Sequence, residues 1–287
     1  MKILVTGGAG FVGSNLIKRL LELGNKVHSL DDYSAGLKDN EINGAIYHTG
    51  DINTIHTLDN DFDLIFHLAA LSRIQPSFKY PTITFNSNTL GTQSVCEFAR
   101  KINASLIYSG SSSKHHNPQL SPYAMSKYLG EELIKMYKKV YNLKANIVRF
   151  YNVYGEGELI DSHMAAVIGI FRNQIEKGLP ITIHGDGEQR RDFTHIDDII
   201  DGLIKISESD IIHDDAWELG SGKNYSINEV FDMFKDNFVN IDKVYIQDVK
   251  GNYRETIRTN DDALDKLKWN PKRNLKQYIN KLKWKTN

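Results

Sequence analysis

Short apolar runs alternate along this chain with longer stretches in which apolar residues recur at helical spacing. Lys2 to Thr6 is the first run, and it breaks into Gly7, Gly8, Gly10 and Gly13. From Phe11 to Leu23 apolar side chains fall three and four apart, which predicts an amphipathic helix closed by Gly24. Val27 to Leu30 predicts a second strand, ending at Asp31 and Asp32. Ala45 to Tyr47, Leu64 to Leu68, Ser105 to Tyr108 and Ala145 to Phe150 predict further strands. Asn86 to Ile102 and Pro122 to Tyr141 predict helices among them. Strands alternating with helices predict an α/β fold built on a parallel, doubly wound sheet. Such a sheet takes its ligands outside the carboxyl ends of its strands.

After Tyr154 the rhythm loosens. Gly155-Glu156-Gly157 reads as a loop and His163 to Glu176 as a helix. Ile181 to His184 reads as a short strand, and Leu275 to Lys283 as a closing amphipathic helix. No repeat, low-complexity tract or free linker marks the change. Residues 1–157, joined by parts of 192–220, are therefore expected to form one domain, and 158–287 a smaller α/β lobe packed on it. Leu275, Tyr278, Ile279 and Leu282 form a stripe at helical spacing, so the basic tail from Lys272 to Lys285 reads as the wet face of a packed helix, not a membrane anchor.

Composition narrows the class. In 287 residues, 40% are hydrophobic and 25% charged, the balance of a globular protein. The 35 basic and 36 acidic residues give a formal net charge of −1, without the basic excess of a nucleic-acid binder. One cysteine excludes a disulfide framework and a thiolate zinc cluster. The ten histidines show no H-x-x-x-H spacing, and no metal is expected. No apolar run approaches the ~18 residues of a membrane helix. The opening MKILVTGG leaves no room for a signal peptide. A cytoplasmic enzyme is the expectation.

Three groups of residues carry candidate chemistry. Gly8-Ala9-Gly10-Phe11-Val12-Gly13 fits G-x-G-x-x-G between a predicted strand and a predicted helix. Glycines let the backbone approach a pyrophosphate, and the helix start offers N–H donors and positive dipole. Asp31 follows Gly13 by 18 residues, placed to accept ribose hydroxyls. Asp31 and Asp32, with no Lys or Arg beside them, would repel a 2′-phosphate, so NAD is favoured over NADP. A tight turn beside a solvated acid is the plainer alternative. Tyr123 and Lys127 form Y-x-x-x-K, and among 14 tyrosines this is the one with Lys at +4. Ser121-Pro122 predicts an N-cap with Pro at the first helical position, so the pair shares one face of a first helical turn. An ammonium there favours phenolate, a usable base for an alcohol proton. Taken alone, an exposed pair without a role is the simpler reading. Ser109-Gly110-Ser111-Ser112-Ser113 follows a predicted strand, where a hydroxyl would face the ligand crevice.

Together these motifs resemble the extended short-chain dehydrogenase/reductase family, in its nucleotide-sugar epimerase/dehydratase branch. The likeness runs through nearly the whole chain and implies a Rossmann-type cofactor domain with a substrate-binding lobe. It implies cofactor contacts from Gly7, Gly10, Phe11, Val12, Gly13, Asp31, Asp32, Ser34 and Gly36. Asp51 and Ile52 resemble the adenine-side pair, Leu68-Ala69-Ala70 the loop past the phosphates, and Asn88 the start of an N-V-x-G-T helix. Ser111, Tyr123 and Lys127 match the catalytic trio, with Tyr123 and Lys127 also on the cofactor. On the substrate side stand Ser77, Ser111, Asn152 of R-x-x-N-V-Y-G, and Arg191 of G-D-G-x-Q-x-R-D-F. The resemblance implies that Arg149 and Arg191 face the substrate phosphates, with Lys250 or Arg254 replacing a missing arginine. It also implies a homodimer through the Asn86 and Pro122 helices, for which Leu129, Leu133, Ile134 and Met136 are apolar candidates that would equally serve a monomer's core.

The same comparison orders the reactions. Dehydratases of this kind carry Asp-Glu after the catalytic hydroxyl, where Ser112 and Ser113 stand here. Decarboxylating relatives carry a glutamate in this region, and Lys114 or Ser113 does not replace it. The type that works through Cys and His is not matched, since Cys96 lies on the Asn86 helix and reads as a core residue. The expectation is C4 epimerisation of a UDP-sugar through a 4-keto intermediate. C4 oxidation or reduction, including that of a GDP-sugar, and a non-catalytic NAD-binding protein remain the alternatives. The segment from Ser112 to Pro122 is shorter than in the common epimerases and carries His115 and His116, either substrate contacts or solvated loop residues.

Overall fold

The computed structural model describes residues 1–162, 164–238 and 241–282. It divides into two compact units, Met1–Arg149 with Gly202–Trp217, and Phe150–Asp201 with Glu218–Asn287.

The first unit is organised by a seven-stranded parallel sheet. Its strands are β1 (Lys2–Thr6), β2 (Lys26–Asp31), β3 (Ile46–Thr49), β4 (Leu64–His67), β5 (Ser105–Ser111) and β6 (Ala145–Phe150), with Trp217–Leu219 at one edge. The order across the sheet is Trp217–Leu219, β6, β5, β4, β1, β2, β3. The order reverses at β1, where Thr6 lies between Leu30 and His67, and such a switch point is where doubly wound sheets take a ligand at the strand ends. The middle of β1 is apolar without alternation because Ile3, Leu4 and Val5 are buried whichever face they take. Leu4, Ile65, Leu106 and Ile147 meet Val95, Ala99 and Ile134 in one core.

The helices of this unit include α1 (Phe11–Glu22), α2 (Ile74–Lys79), α3 (Pro81–Phe85), α4 (Gly91–Ile102) and α5 (Pro122–Tyr141); α1, α4 and α5 pack on the sheet, and α2 and α3 on α5. α2 and α3 were not predicted, because Pro76 and Pro81 break the apolar period. The helix expected from Asn86 starts as a wide π turn, Asn86–Leu90, before α4. That turn coincides with Asn88, whose amide is bonded sideways to Leu71 and Ser126. β5 runs to Ser111, so Ser109 and Ser111 belong to the strand and not to a turn after it.

In the second unit, Val153–Tyr154 pairs with Thr194–His195, Arg190–Asp192 with Asn224–Ser226, and Ile181–His184 with Lys243–Ile246. Ile168, Phe171, Ile183, Phe193, Phe234 and Ile279 pack beneath them. The units divide after Arg149, not at the expected residue 157, and Gly202–Trp217 is the segment that rejoins the first. Residues 150–157 side with the second unit because Val153–Tyr154 finds its strand partner there. The helix expected from His163 begins at Val167, and His163 lies outside the described residues. The terminal helix spans Leu275–Lys281, and Lys283 to Lys285 also lie outside them. No helix among the described residues is long and apolar enough to cross a membrane.

Candidate functional site

The glycine turn is a backbone cradle. Gly7 leaves β1 with φ 73°, and a Cβ on it would stand 2.8 Å from Ala69 N and Cα. A Cβ on Gly13 would lie 2.7 Å from Gly8 Cα, and one on Gly36 2.8 Å from the Ala9 carbonyl carbon. Glycine is needed at each for the loops to close. Gly10 caps α1 without a side-chain bond, so Phe11 and Val12 begin a helix whose positive end no side chain covers. The geometry fits a pyrophosphate.

Asp31 ends β2 and is 7% exposed. Ala9 N and Tyr33 N each donate to it at 2.8 Å. Burial raises its pKa above the usual carboxylate range, and those two amide bonds pull it back. Asp32 accepts from Ser34 N at 2.9 Å and from Ser34 Oγ at 2.6 Å, both residues being exposed. Asp51 caps a short turn through Asn53 N at 2.7 Å and stays exposed, while Ile52 is buried behind it. Leu68, Ala69 and Ala70 follow β4 and are partly exposed, with Ala69 N donating to Thr6 Oγ1 at 3.2 Å.

Ser111 and Tyr123 meet. Tyr123 donates its hydroxyl proton to Ser111 Oγ at 3.2 Å, and Ser113 N donates to the same oxygen at 3.2 Å. Ser111 Oγ thus accepts twice, and its own proton remains for a third group. Ser121 caps α5 through Ala124 N at 3.1 Å, as the Ser-Pro pair predicts. Tyr123 is the second residue of α5 and Lys127 the sixth, about one turn further on, so Lys127 falls in the second turn rather than the first. Burial raises the Tyr123 pKa; the Ser111 bond and the Arg73 guanidinium lower it, and Glu131 adds to the rise. Lys127 is 4% exposed, and burial pushes its pKa down to about 8 against the pull of Glu131. Its ammonium donates to the Ser109 carbonyl and lies 4.5 Å from the Tyr108 ring centre.

Two expected ligand contacts take positioning places. Ser77 is 1% exposed; its Oγ accepts from Tyr123 N at 3.1 Å and donates to Ile74 O at 2.6 Å. It holds the start of α5. Asn88 is equally buried, accepting from Leu71 N at 2.8 Å and donating to Leu71 O and Ser126 Oγ. It ties the loop after β4 to α5.

Arg149 requires a correction. It was expected to face phosphates, yet Glu131 takes its Nη2 at 2.8 Å and Asp215 its Nη1 at 2.9 Å. Two carboxylates leave a buried guanidinium no reason to seek a third anion. Glu131, Arg73 and Ser126 are the residues that sequence reasoning missed. Only Glu131 carried a signal, four residues after Lys127 on the same helical face.

In the second unit, Asn152 donates to Asp192 O at 3.1 Å. Arg191 is held by two neutral oxygens, Arg190 O at 2.8 Å and Asn252 Oδ1 at 2.5 Å. Burial lowers its pKa to about 10, the mark of a desolvated guanidinium suited to an anion. Arg254 instead reaches Asp186 at 2.9 Å, both well exposed. Among the described residues no group of three or more His, Cys, Asp or Glu could hold a metal. Cys96 is buried in the core and its thiol is pushed up to about 12, a packing residue.

The sequence profile of the NAD dependent epimerase/dehydratase family matches residues 3–220. A putative UDP-glucose 4-epimerase of Methanocaldococcus jannaschii is 33% identical, over 98% of this chain and 96% of its own. A UDP-glucose 4-epimerase of Thermotoga maritima, solved with UDP-glucose, superposes with TM-score 0.91 at 28% identity, covering 98% of this chain and 96% of that one. A UDP-glucuronic acid 4-epimerase of Bacillus cereus, solved with UDP-glucuronic acid and NAD, gives 0.88 at 27%, covering 97% and 96%.

Proposed function

Since the chain belongs to the NAD-dependent epimerase/dehydratase family, we propose that it is an NAD-dependent nucleotide-sugar epimerase acting at C4 of a UDP-sugar. The observation that carries this reading is the Tyr123 hydroxyl, 3.2 Å from Ser111 Oγ, at the end of the sheet that also forms the glycine cradle. A bound nicotinamide dinucleotide supplies the hydride acceptor and donor at the sugar carbon. The glycine turn and the open start of α1 would hold its pyrophosphate, Asp31 its adenosine ribose, and Lys127 the second ribose.

Tyr123, as phenolate, takes the proton of the sugar hydroxyl on Oη. With Tyr123 as phenolate, Ser111 Oγ still accepts from Ser113 N, and its own proton is free to go to the sugar oxygen and steady the charge there. Tyr123 returns the proton once the sugar has offered its other face. Arg191, held by neutral oxygens, is suited to an anionic group. Ser112 and Ser113 supply no carboxylate for the acid–base work of dehydration, which favours epimerisation.

The test is incubation with UDP-, GDP- and dTDP-sugars, followed by NMR. Interconversion of a C4 pair without net NADH formation supports the proposal. Stoichiometric NADH identifies a dehydrogenase, and no product with any sugar leaves a binding protein. Thermal stabilisation by GDP rather than UDP in the presence of NAD would move the substrate to another base.

A homodimer goes with this reading. Met136, Val140 and Tyr141 are exposed on α5, and Leu90 is exposed at the head of α4, whereas Ile134 is fully in the core. Light scattering reads the mass directly, and a single-chain mass would refute it. The compartment proposed is the cytoplasm, where a chain with one cysteine loses nothing to the reducing environment.

A further inference from the structure

A buried acid stands behind the site and has no part in the chemistry above. Glu131 is 1% exposed and lies one turn beyond Lys127 on α5. Its Oε1 faces the end of β5, 3.5 Å from Ser111 N. A Cβ on Gly110 would come 2.6 Å from that oxygen, so a glycine is what lets the carboxylate close on the strand. Arg149 grips Glu131 through Nε and Nη2, and Asp215 grips Arg149 from the other side. Lys135 joins Asp215 at 2.7 Å, and Lys114, from the segment after Ser111, joins Glu132 of α5 at 2.8 Å. A chain of alternating charges thus runs along α5 and ends at the Ser111 peptide.

A buried carboxylate is costly unless paired, and Arg149 pairs this one. We propose that Glu131, locked by Arg149, is a positioning residue of the site: it fixes the strand end that carries Ser111 and supplies the standing negative charge against which the Tyr123 and Lys127 protons move. The inference rests on Tyr123 being the proton acceptor. The groups that face these protons from neighbouring elements are Tyr108 on β5, neutral His67 on β4, Arg149 on β6, Asp215 behind it and Arg73 after β4. A negative charge raises the pKa of both a phenol and an ammonium. Glu131 acts in that sense on Tyr108, Tyr123 and Lys127. Its removal is expected to lower the Tyr123 and Lys127 values together.

The experiment follows Tyr123 ionisation by near-ultraviolet phenolate absorbance in NAD-saturated protein, with Tyr123→Phe as the blank. A second readout is NAD affinity against pH. Glu131→Gln is expected to move both midpoints to lower pH by about one unit. Glu131→Asp, which keeps the charge, is expected to restore them even where thermal stability stays reduced. Should Glu131→Gln fail to fold, Asp215→Asn, at the half-exposed end of the chain, is expected to move both the same way by less. Unmoved midpoints in whichever of these folds, with only Tm falling, would reduce Glu131 to a structural pair and overturn the proposal. Equal shifts in the Gln and Asp variants would overturn it too. Neither readout needs a sugar, so absence of turnover on every nucleotide sugar bears on the proposed function alone.

Discussion

Tyr123 gives up or keeps its proton in a setting made by Ser111, Arg73 and Glu131 together. Tyr123→Phe removes the base and leaves the ring. Turnover is expected to fall ~10²–10⁴-fold, with NAD binding nearly unchanged by thermal shift. The sequence pointed to this tyrosine through its spacing to Lys127, but assigned the tuning to the lysine. The ammonium is instead drawn to the Ser109 carbonyl and the Tyr108 ring. No spacing rule could reveal that, because both partners come from β5. On the proposed cofactor placement, Asp31 would repel a 2′-phosphate. Calorimetry is expected to show NAD binding and NADP excluded. Asp31→Ala is expected to cost ~10–100-fold in NAD affinity, the worth of a lost charge-assisted bond.

At the scale of elements, what matters is how strand ends and helix starts are pinned. α5 begins with a Ser cap, a Pro and the Ser77 hydroxyl on Tyr123 N, so its first turn is anchored from two sides. Ser121→Ala is expected to cost about 1 kcal/mol, seen as a lower urea midpoint with unchanged slope. The Gly7 turn is pinned by the approach of Ala69 and by a left-handed φ. Gly7→Ala is expected to leave far-ultraviolet circular dichroism intact while abolishing stabilisation by NAD. Ser-Pro and the glycine spacing were legible because capping and turn chemistry are local. The π turn at Asn86–Leu90 was not, since its cause is a side-chain amide bonded to a loop and a helix distant in sequence.

At the scale of the molecule, the two units carry different liabilities. In the second, Glu158 is buried beside Arg172 at 3.1 Å and the Tyr278 hydroxyl at 3.4 Å. Burial raises its pKa to about 7, with Arg172 opposing. An unfolded glutamate titrates near ~4.3, so between that pH and about 7 the folded chain keeps a proton the unfolded chain has lost. This contribution to stability is present below that window and declines as pH rises through it. Glu158→Gln is expected to remove the decline, so the Tm gap between pH 5 and pH 8 should narrow in the variant; an equal gap would refute the assignment. Alternating runs and local motifs by themselves determined the sheet, the glycine cradle, the capped helix and the family, because strand period, turns and caps depend on neighbours in sequence. Tertiary structure alone decided where the units divide, that Ser77 and Asn88 bond to the start of α5 and to Ser126, and that Arg149 answers Glu131 and Asp215. Each of those outcomes depends on which buried polar group finds its partner across the fold, and such partners are set by distance in space and not by distance along the chain.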